Sequence, residues 1–229
     1  MKNKVAKIDY ILDRHLEAGQ TWMIGGFGRG GVPFTLLEQI ALYPQRFSGL
    51  TLVKNDANEP GLGIDLLLRQ GMVKKLITTH IGLNPDFIDQ MNRGEVTCEF
   101  VPQGIFAERI RAGGVGIPAF LSDIGLGTEV AEGRKTLDLD GRELLVEYAL
   151  RGDVALACAD VVDRAGNAWW RGSNRNMCVP MLSACNTAIL EAKEIVEVGS
   201  IAPENVHLPG VLVDAVVLAQ PRAHVKKDA

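Results

Sequence analysis

The run Gly25-Gly26-Phe27-Gly28-Arg29-Gly30-Gly31-Val32-Pro33 lies between an apolar stretch, Trp22-Met23-Ile24, and a helical pattern at 34–42. A glycine-rich turn from strand to helix can bring bare backbone N–H groups against an anionic ligand, because glycine reaches φ > 0 and has no Cβ. Two patterns overlap in it. Gly26, Gly28 and Gly31 fit the dinucleotide fingerprint G-x-G-x-x-G, with Asp56 placed after the next strand to hold a ribose hydroxyl. The same residues also read G-G-F-x-x-x-G-x-P, in which Phe27 and Pro33 have a place that the dinucleotide pattern does not give them. A tight turn with no ligand is the third reading.

A second polar corner, Val101-Pro102-Gln103-Gly104, separates another apolar run from another helical pattern. The Gln103 amide has two N–H donors, and one well-aimed donor to a developing oxyanion is worth roughly 3 kcal/mol. Capping of the following helix is the alternative role. The four histidines, His15, His80, His207 and His224, have no acid or thiol at catalytic spacing and read as structural or surface groups. Cys98, Cys158, Cys178 and Cys185 form no C-x-x-C pair, so neither a zinc site nor a disulfide framework is expected, and the four read as buried reduced thiols. No metal site is expected elsewhere.

The elements that position these groups follow from the hydrophobic periodicity. Helical stripes fall at 5–16, 34–42, 63–69, 85–92 and 105–112, and short apolar strands at 21–24, 50–53, 73–79 and 96–101. That alternation predicts βαβ crossovers: an α/β fold with a mostly parallel open sheet covered by helices, its ligand sites at the carboxyl ends of the strands. From about residue 118 glycine turns separate shorter segments, including 143–148 and 154–162, which read as antiparallel strands. One domain over 1–229 with a small antiparallel, β-rich insertion at about 120–180 is therefore expected. Residues 187–198 and 211–218 return to buried-strand composition, and 222–229 reads as a frayed tail. Trp169 and Trp170 cannot both face inward on one strand, which puts one of them at an interface.

The 229 residues are 47 % hydrophobic, enough for a sizeable core, and carry a net charge of −4. There is no basic footprint for nucleic acid. No leader-like segment and no apolar run of membrane-spanning length is evident, so the expected location is cytoplasmic, without membrane association.

Gly25-Gly26-Phe27 with Gly31 and Pro33 resembles the signature of the first subunit of the family I CoA-transferases, the group of the 3-oxoacid and 3-oxoadipate enzymes. The likeness continues in order through Gly61-Leu62-Gly63, Pro102-Gln103-Gly104, the run from Ala107 to Gly114, Gly116-Ile117-Pro118, Gly127-Thr128, Gly166-Asn167, Arg175-Asn176, Glu194-Ile195-Val196 and His207-Leu208-Pro209. The resemblance implies a reaction in which a glutamate attacks an acyl-CoA thioester and carries CoA covalently, a division into easier steps that predicts ping-pong kinetics. That glutamate belongs to the second subunit, so the resemblance implies a beta-subunit partner, in an A2B2 heterotetramer, with coenzyme A thioester as substrate and no tightly bound cofactor.

By the same resemblance Gln103 becomes the oxyanion or substrate donor, and Gly25, Gly26, Phe27, Gly28, Gly31, Asn55, Asp56 and Gly104 shape the acyl and CoA cleft. Glu108, Glu129 and Glu132 read as solvated or paired charges rather than nucleophiles. Where the family reads Ser-Asn-Asn-Ala-Gly, this chain has Lys54-Asn55-Asp56-Ala57-Asn58. An aspartate there repels an anionic acceptor unless Lys54 or a partner group offsets it. That departure keeps a second reading open, a hydrolase or decarboxylase on the same fold, and an NAD(P)-binding oxidoreductase module is the third. The polar segment 171–176 reads either as a turn against the partner or as a contact to CoA phosphate.

Overall fold

The structure is a computed structural model, and it describes residues 2–221. The expected tail at 222–229, with His224, lies outside the described residues. In chain order the elements are α1 (Ile8–His15), β1 (Thr21–Ile24), α2 (Phe34–Ile40), β2 (Leu50–Val53), α3 (Asp65–Arg69), β3 (Val73–Thr78), α4 (Pro85–Asn92), β4 (Thr97–Phe100) and α5 (Gln103–Gly114). They continue through β5 (Ala119–Ser122), β6 (Thr136–Leu139), β7 (Arg142–Tyr148), β8 (Gly152–Asp163), β9 (Ala168–Trp169), α6 (Cys178–Ser183), β10 (Cys185–Val196) and β11 (Ala215–Leu218).

The main sheet has the order β11-β10-β8-β1-β2-β3-β4, and neighbours along that path run parallel. Period-2 alternation sends Trp22, Ile24, Leu52 and Leu156 to one face, where α1 to α4 supply Ile11, Leu36, Leu67 and Phe87. Met23, Val53, Ile77 and Ala157 point to the other, against Phe106 and Ile110 of α5 and Met181 of α6. A sheet covered on both faces in this way is doubly wound.

β8 corrects the sequence reading. Turns on either side made 154–162 look like part of an antiparallel insertion, but β8 is a central strand, parallel to both β1 and β10. The separate antiparallel sheet, β5-β7-β6, is confined to 119–148. It is tied to the main body by a line of charges. Buried Glu147 on β7 accepts from Arg134 at 2.8 and 2.9 Å and faces Arg109 of α5 at 4.0 Å; Arg109 also donates to the Tyr148 carbonyl at 2.7 Å and reaches Glu99 on β4 at 3.1 Å, which Lys75 on β3 meets at 2.6 Å.

The helix expected over 5–16 begins only at Ile8. Val5 bridges in parallel to Val216, and the Lys4 ammonium donates to the Gly210 carbonyl at 2.6 Å. The apolar Val5 that completed the helical stripe thus serves an extended segment beside β11. Of the paired tryptophans, Trp170 is buried and donates its indole N–H to the Cys158 carbonyl at 2.7 Å, while Trp169 is half-buried and stacks on His207. His207 also accepts from the Trp170 N–H, which gives it a structural role.

Candidate functional site

Strand order reverses between β1 and β8: after β1 the chain winds toward β4, and after β8 toward β11. In an open parallel sheet this reversal opens a crevice at the carboxyl ends. The glycine loop 25–33 sits there. Beside it a cleft of about 620 Å³ is lined by Phe27, Gly30 and residues 172–176.

Close approach explains two of the glycines. A Cβ on Gly25 would lie 2.8 Å from the Ala157 Cβ and 2.9 Å from the Cys178 Sγ. Gly31 adopts φ +84°, and its Cβ would meet the Asn174 carbonyl at 2.6 Å.

The loop is a clamped structure rather than an open cradle. The Gly25 N–H is bound by the Leu156 carbonyl, and Phe27 and Gly30 exchange N–H···O bonds of 3.1 and 3.3 Å. The Gly28 N–H donates to Asp56 Oδ2 at 3.0 Å, and the Gly28 carbonyl accepts from Asn58 Nδ2 at 2.9 Å. From the opposite side Asn176 Nδ2 holds the Gly30 carbonyl at 3.0 Å. Segment 171–176 packs on the glycine loop through Asn176 and at the same time lines the cleft beside it. Phe27 stands out from the clamped tip, 54 % exposed.

The start of α2 is occupied as well. Glu191, buried on β10, accepts from the Leu36 N–H at 3.0 Å and is bonded by Thr35. A pyrophosphate needs free N–H groups and an open helix start. Here the Gly25, Phe27, Gly28 and Gly30 N–H groups are already bonded and the helix start faces a carboxyl group, which leaves no open cradle of the kind the dinucleotide reading needs.

Burial pushes the Glu191 carboxyl above its ordinary value of 4.5, against the opposing bonds from Leu36 and Thr35. A raised carboxyl makes the fold bind more protons than the unfolded chain, so its contribution falls as pH rises from 4.5 through the folded value. Glu191→Gln keeps an acceptor for Leu36 without that penalty. Urea unfolding of this variant should therefore gain on the wild type between about pH 4.5 and pH 8, whereas Glu191→Ala should lose about 1–3 kcal/mol at either pH.

Asp56 and Asn55 were read from sequence as cleft residues, yet they lie beneath the loop, 2 % and 0 % exposed. Asp56 Oδ1 accepts from Lys54 Nζ at 3.0 Å and the Asn58 N–H at 2.9 Å, and Oδ2 from Gly28 and from Asn55 Nδ2 at 3.3 Å. Burial alone would raise this carboxyl, but the Lys54 ammonium and the Gly28 and Asn58 N–H groups outweigh it and hold it below the usual carboxylate range. Burial lowers Lys54 in turn, and Asp56 offsets part of that. The charge that seemed to face an anionic substrate is thus neutralised and sealed from solvent. Asn55 itself leaves Oδ1 buried without a partner among the described residues.

Gln103 opens α5 at the carboxyl end of β4, exposed, with Gly104 exposed beside it. No side chain caps α5, so the capping role is not realised. Three strand spacings, about 14 Å, separate it from β1 across the same edge of the sheet. The glycine loop and 54–58 are in contact, and Gln103 stands apart from both. Sequence reasoning missed the clamp residues Asn58 and Asn176 and the carboxyl of Glu191, all of which act through contacts between distant segments. Of the four thiols expected to be buried, Cys158 and Cys178 are, whereas Cys98 and Cys185 are half-buried; burial pushes Cys98 up to about 11 and Cys178 and Cys185 up to about 12, which favours the protonated thiol.

Comparison with known proteins agrees with this geometry. The family described as Coenzyme A transferase matches residues 5–219. The A-type subunit of the succinyl-CoA:3-ketoacid coenzyme A transferase of Xanthomonas campestris pv. campestris (strain B100) is 44 % identical over 91 % of this chain and 86 % of its own length. The alpha subunit of the acetate CoA-transferase of Escherichia coli K12 is 40 % identical over 88 % of this chain and 91 % of its own.

Among solved structures, an acyl-CoA transferase of E. coli O157:H7, in a thioester complex with CoA, shares the fold with a TM-score of 0.83 at 22 % identity, over 97 % of this chain and 48 % of that one. The decarboxylase AibA/AibB shares it with a TM-score of 0.81 at 22 % identity, over 96 % of this chain and 84 % of that one. At these identities the structures speak to the fold alone, and the sequence relatives decide the family. The chain belongs to the coenzyme A transferase family, as a subunit of the alpha type.

Proposed function

We propose that this chain works with a beta subunit, in an A2B2 assembly, to move CoA between a short acyl- or 3-oxoacyl-CoA and a small carboxylate. The observation that carries this reading is the state of the carboxylates beside the cleft. Asp56 has four donors, Glu59 is paired with Arg29, and Asp160 accepts from Lys193 at 2.8 Å and from the Arg171 N–H at 2.8 Å. Each is already bound, which supports a nucleophile supplied by the partner.

The chemistry then runs as an exchange on the partner's glutamate. Its carboxylate attacks the thioester carbonyl, the C–S bond breaks, and an acyl anhydride forms with release of CoA thiolate. The thiolate returns to the glutamyl carbonyl, giving glutamyl-CoA and freeing the first carboxylate. The acceptor carboxylate reverses these steps.

This chain contributes the setting for those steps. The Gln103 amide donates to the oxyanion or to the substrate carboxylate. Phe27 offers an apolar wall to the acyl and pantetheine portion, and Gly28 and Gly30, held by Asp56, Asn58 and Asn176, fix its place at the loop tip. Gly25 and Gly31 let the loop pack tightly on Ala157, Cys178 and Asn174, and Gly26 lets it fold back on Val32, while Asp56 holds Gly28 from beneath. Names of relatives support the substrate class, since one is a succinyl-CoA:3-ketoacid and another an acetate enzyme. The hydrolase or decarboxylase reading rested on an unshielded Asp56, and Lys54 removes that motive.

The test is steady-state kinetics of the assembled enzyme with succinyl-CoA and acetoacetate. Parallel double-reciprocal lines are expected. Release of free CoA or CO₂ without transfer to acetoacetate would contradict the proposal.

A further inference from the structure

The Lys54–Asp56 pair is buried at the end of β2, and its partners show what it does. Asp56 reaches across from the end of β2 to bind the Gly28 N–H, and Asn58 binds the Gly28 carbonyl. Both backbone groups at the tip of the glycine loop are therefore held from the β2 side. The segment that holds them is itself fixed: the Asn55 carbonyl accepts from Thr78 Oγ1 at 3.0 Å and Thr79 Oγ1 at 2.7 Å at the end of β3, and Asn58 Oδ1 accepts from the Ile64 N–H at 3.1 Å.

Lys54 is fully buried and bound at Asp56 Oδ1, the oxygen that also takes the Asn58 N–H, leaving Oδ2 to Gly28 and Asn55. Nearby ionisable groups are Cys178, exposed His80 and the surface Arg29–Glu59 pair.

We infer that the Lys54–Asp56 pair is a positioning device for the transfer reaction, an ionic anchor that fixes the glycine loop and with it the exposed Phe27 against the acyl-CoA. The inference rests on the proposed transferase reading for its kinetic consequence. Neither residue touches substrate. Their effect travels through Gly28, and displacement of a cleft wall by about 1 Å can cost on the order of 100-fold in rate.

Two paired variants separate anchoring from mere stability, because each removes both charges and leaves no buried ion alone. Lys54→Ser/Asp56→Asn keeps a side-chain oxygen for the Gly28 N–H, and in the assembled enzyme should retain kcat within about threefold. Lys54→Met/Asp56→Leu offers Gly28 no acceptor. At a matched thermal midpoint it should lower kcat about tenfold or more with succinyl-CoA and acetoacetate, while KM for succinyl-CoA moves less. Wild-type kcat and KM in the Met/Leu variant would overturn the inference.

Amide hydrogen exchange on the wild-type complex gives an arm independent of how any variant folds. The Gly28 N–H should exchange as slowly as the β1 amides, and a fast-exchanging Gly28 would equally overturn the inference. A wild-type complex that transfers no CoA yet protects Gly28 would sink the functional proposal and leave the anchor standing.

Discussion

Gln103→Ala in the assembled enzyme should lower kcat by about 10²–10³-fold, the loss measured when one well-placed oxyanion donor is removed. The thermal midpoint should not fall. Gln103 is exposed at the first position of α5, its side chain caps nothing, and alanine is a better helix former there. Loss of rate without loss of stability distinguishes a group that meets the reacting atoms from one that merely starts a helix. Gln103→Glu makes the contrast sharper, because a carboxylate at that corner repels a developing negative charge and restores none of the rate. Turnover of either variant within about twofold of wild type would remove Gln103 from the site.

Asp56→Ala should destabilise the chain by about 3–5 kcal/mol in urea unfolding at about pH 7, because it leaves the Lys54 ammonium buried without its counterion. The cost is that of an orphaned charge rather than the worth of the pair. Replacing both charges by neutral groups of similar volume, as in Lys54→Met/Asp56→Asn, which keeps a side-chain oxygen for the Gly28 and Asn58 N–H groups, should therefore return most of the loss. The pH dependence has a definite sign. A carboxyl held below its ordinary value of 3.8 contributes fully above that value and loses its contribution as pH falls through the folded one. Acid unfolding of the wild type should accordingly begin earlier than that of the double variant. Equal stability of Asp56→Ala and wild type would mean that Lys54 is neutral in the fold.

The sequence carried the architecture wherever local pattern and tertiary role coincide. β1, β2 and α4 have the expected bounds because each has clear punctuation: glycine before or after the strands, and for α4 an Asn84 side chain that caps the Phe87 N–H just ahead of Pro85. β8 failed that test. Flanking turns suggested hairpins, whereas its place between β1 and β10 is decided by small residues such as Ala155, Ala157 and Ala159 that admit α6 on one face.

The site divides in the same way. The glycine loop and Gln103 stood out because their residue types are unusual at strand-to-helix corners. The clamp around the loop was invisible, since Asn58, Asn176 and Glu191 lie 30, 146 and 155 residues from the groups they bind. Asp56 shows the hazard of reading charge without burial. In the linear sequence it threatened an anionic substrate, and in the fold it is an internal ligand for Lys54 and Gly28.

The central claim is that this chain builds one wall of a transfer site whose nucleophile lies on its partner. The direct measurement is intact-mass analysis of both protein chains after the assembled enzyme is mixed with succinyl-CoA in the absence of acceptor and quenched in acid. A CoA thioester adduct on the beta subunit, with this chain unmodified, is the predicted result. An adduct on this chain, or full turnover with no adduct on either one, would contradict the account.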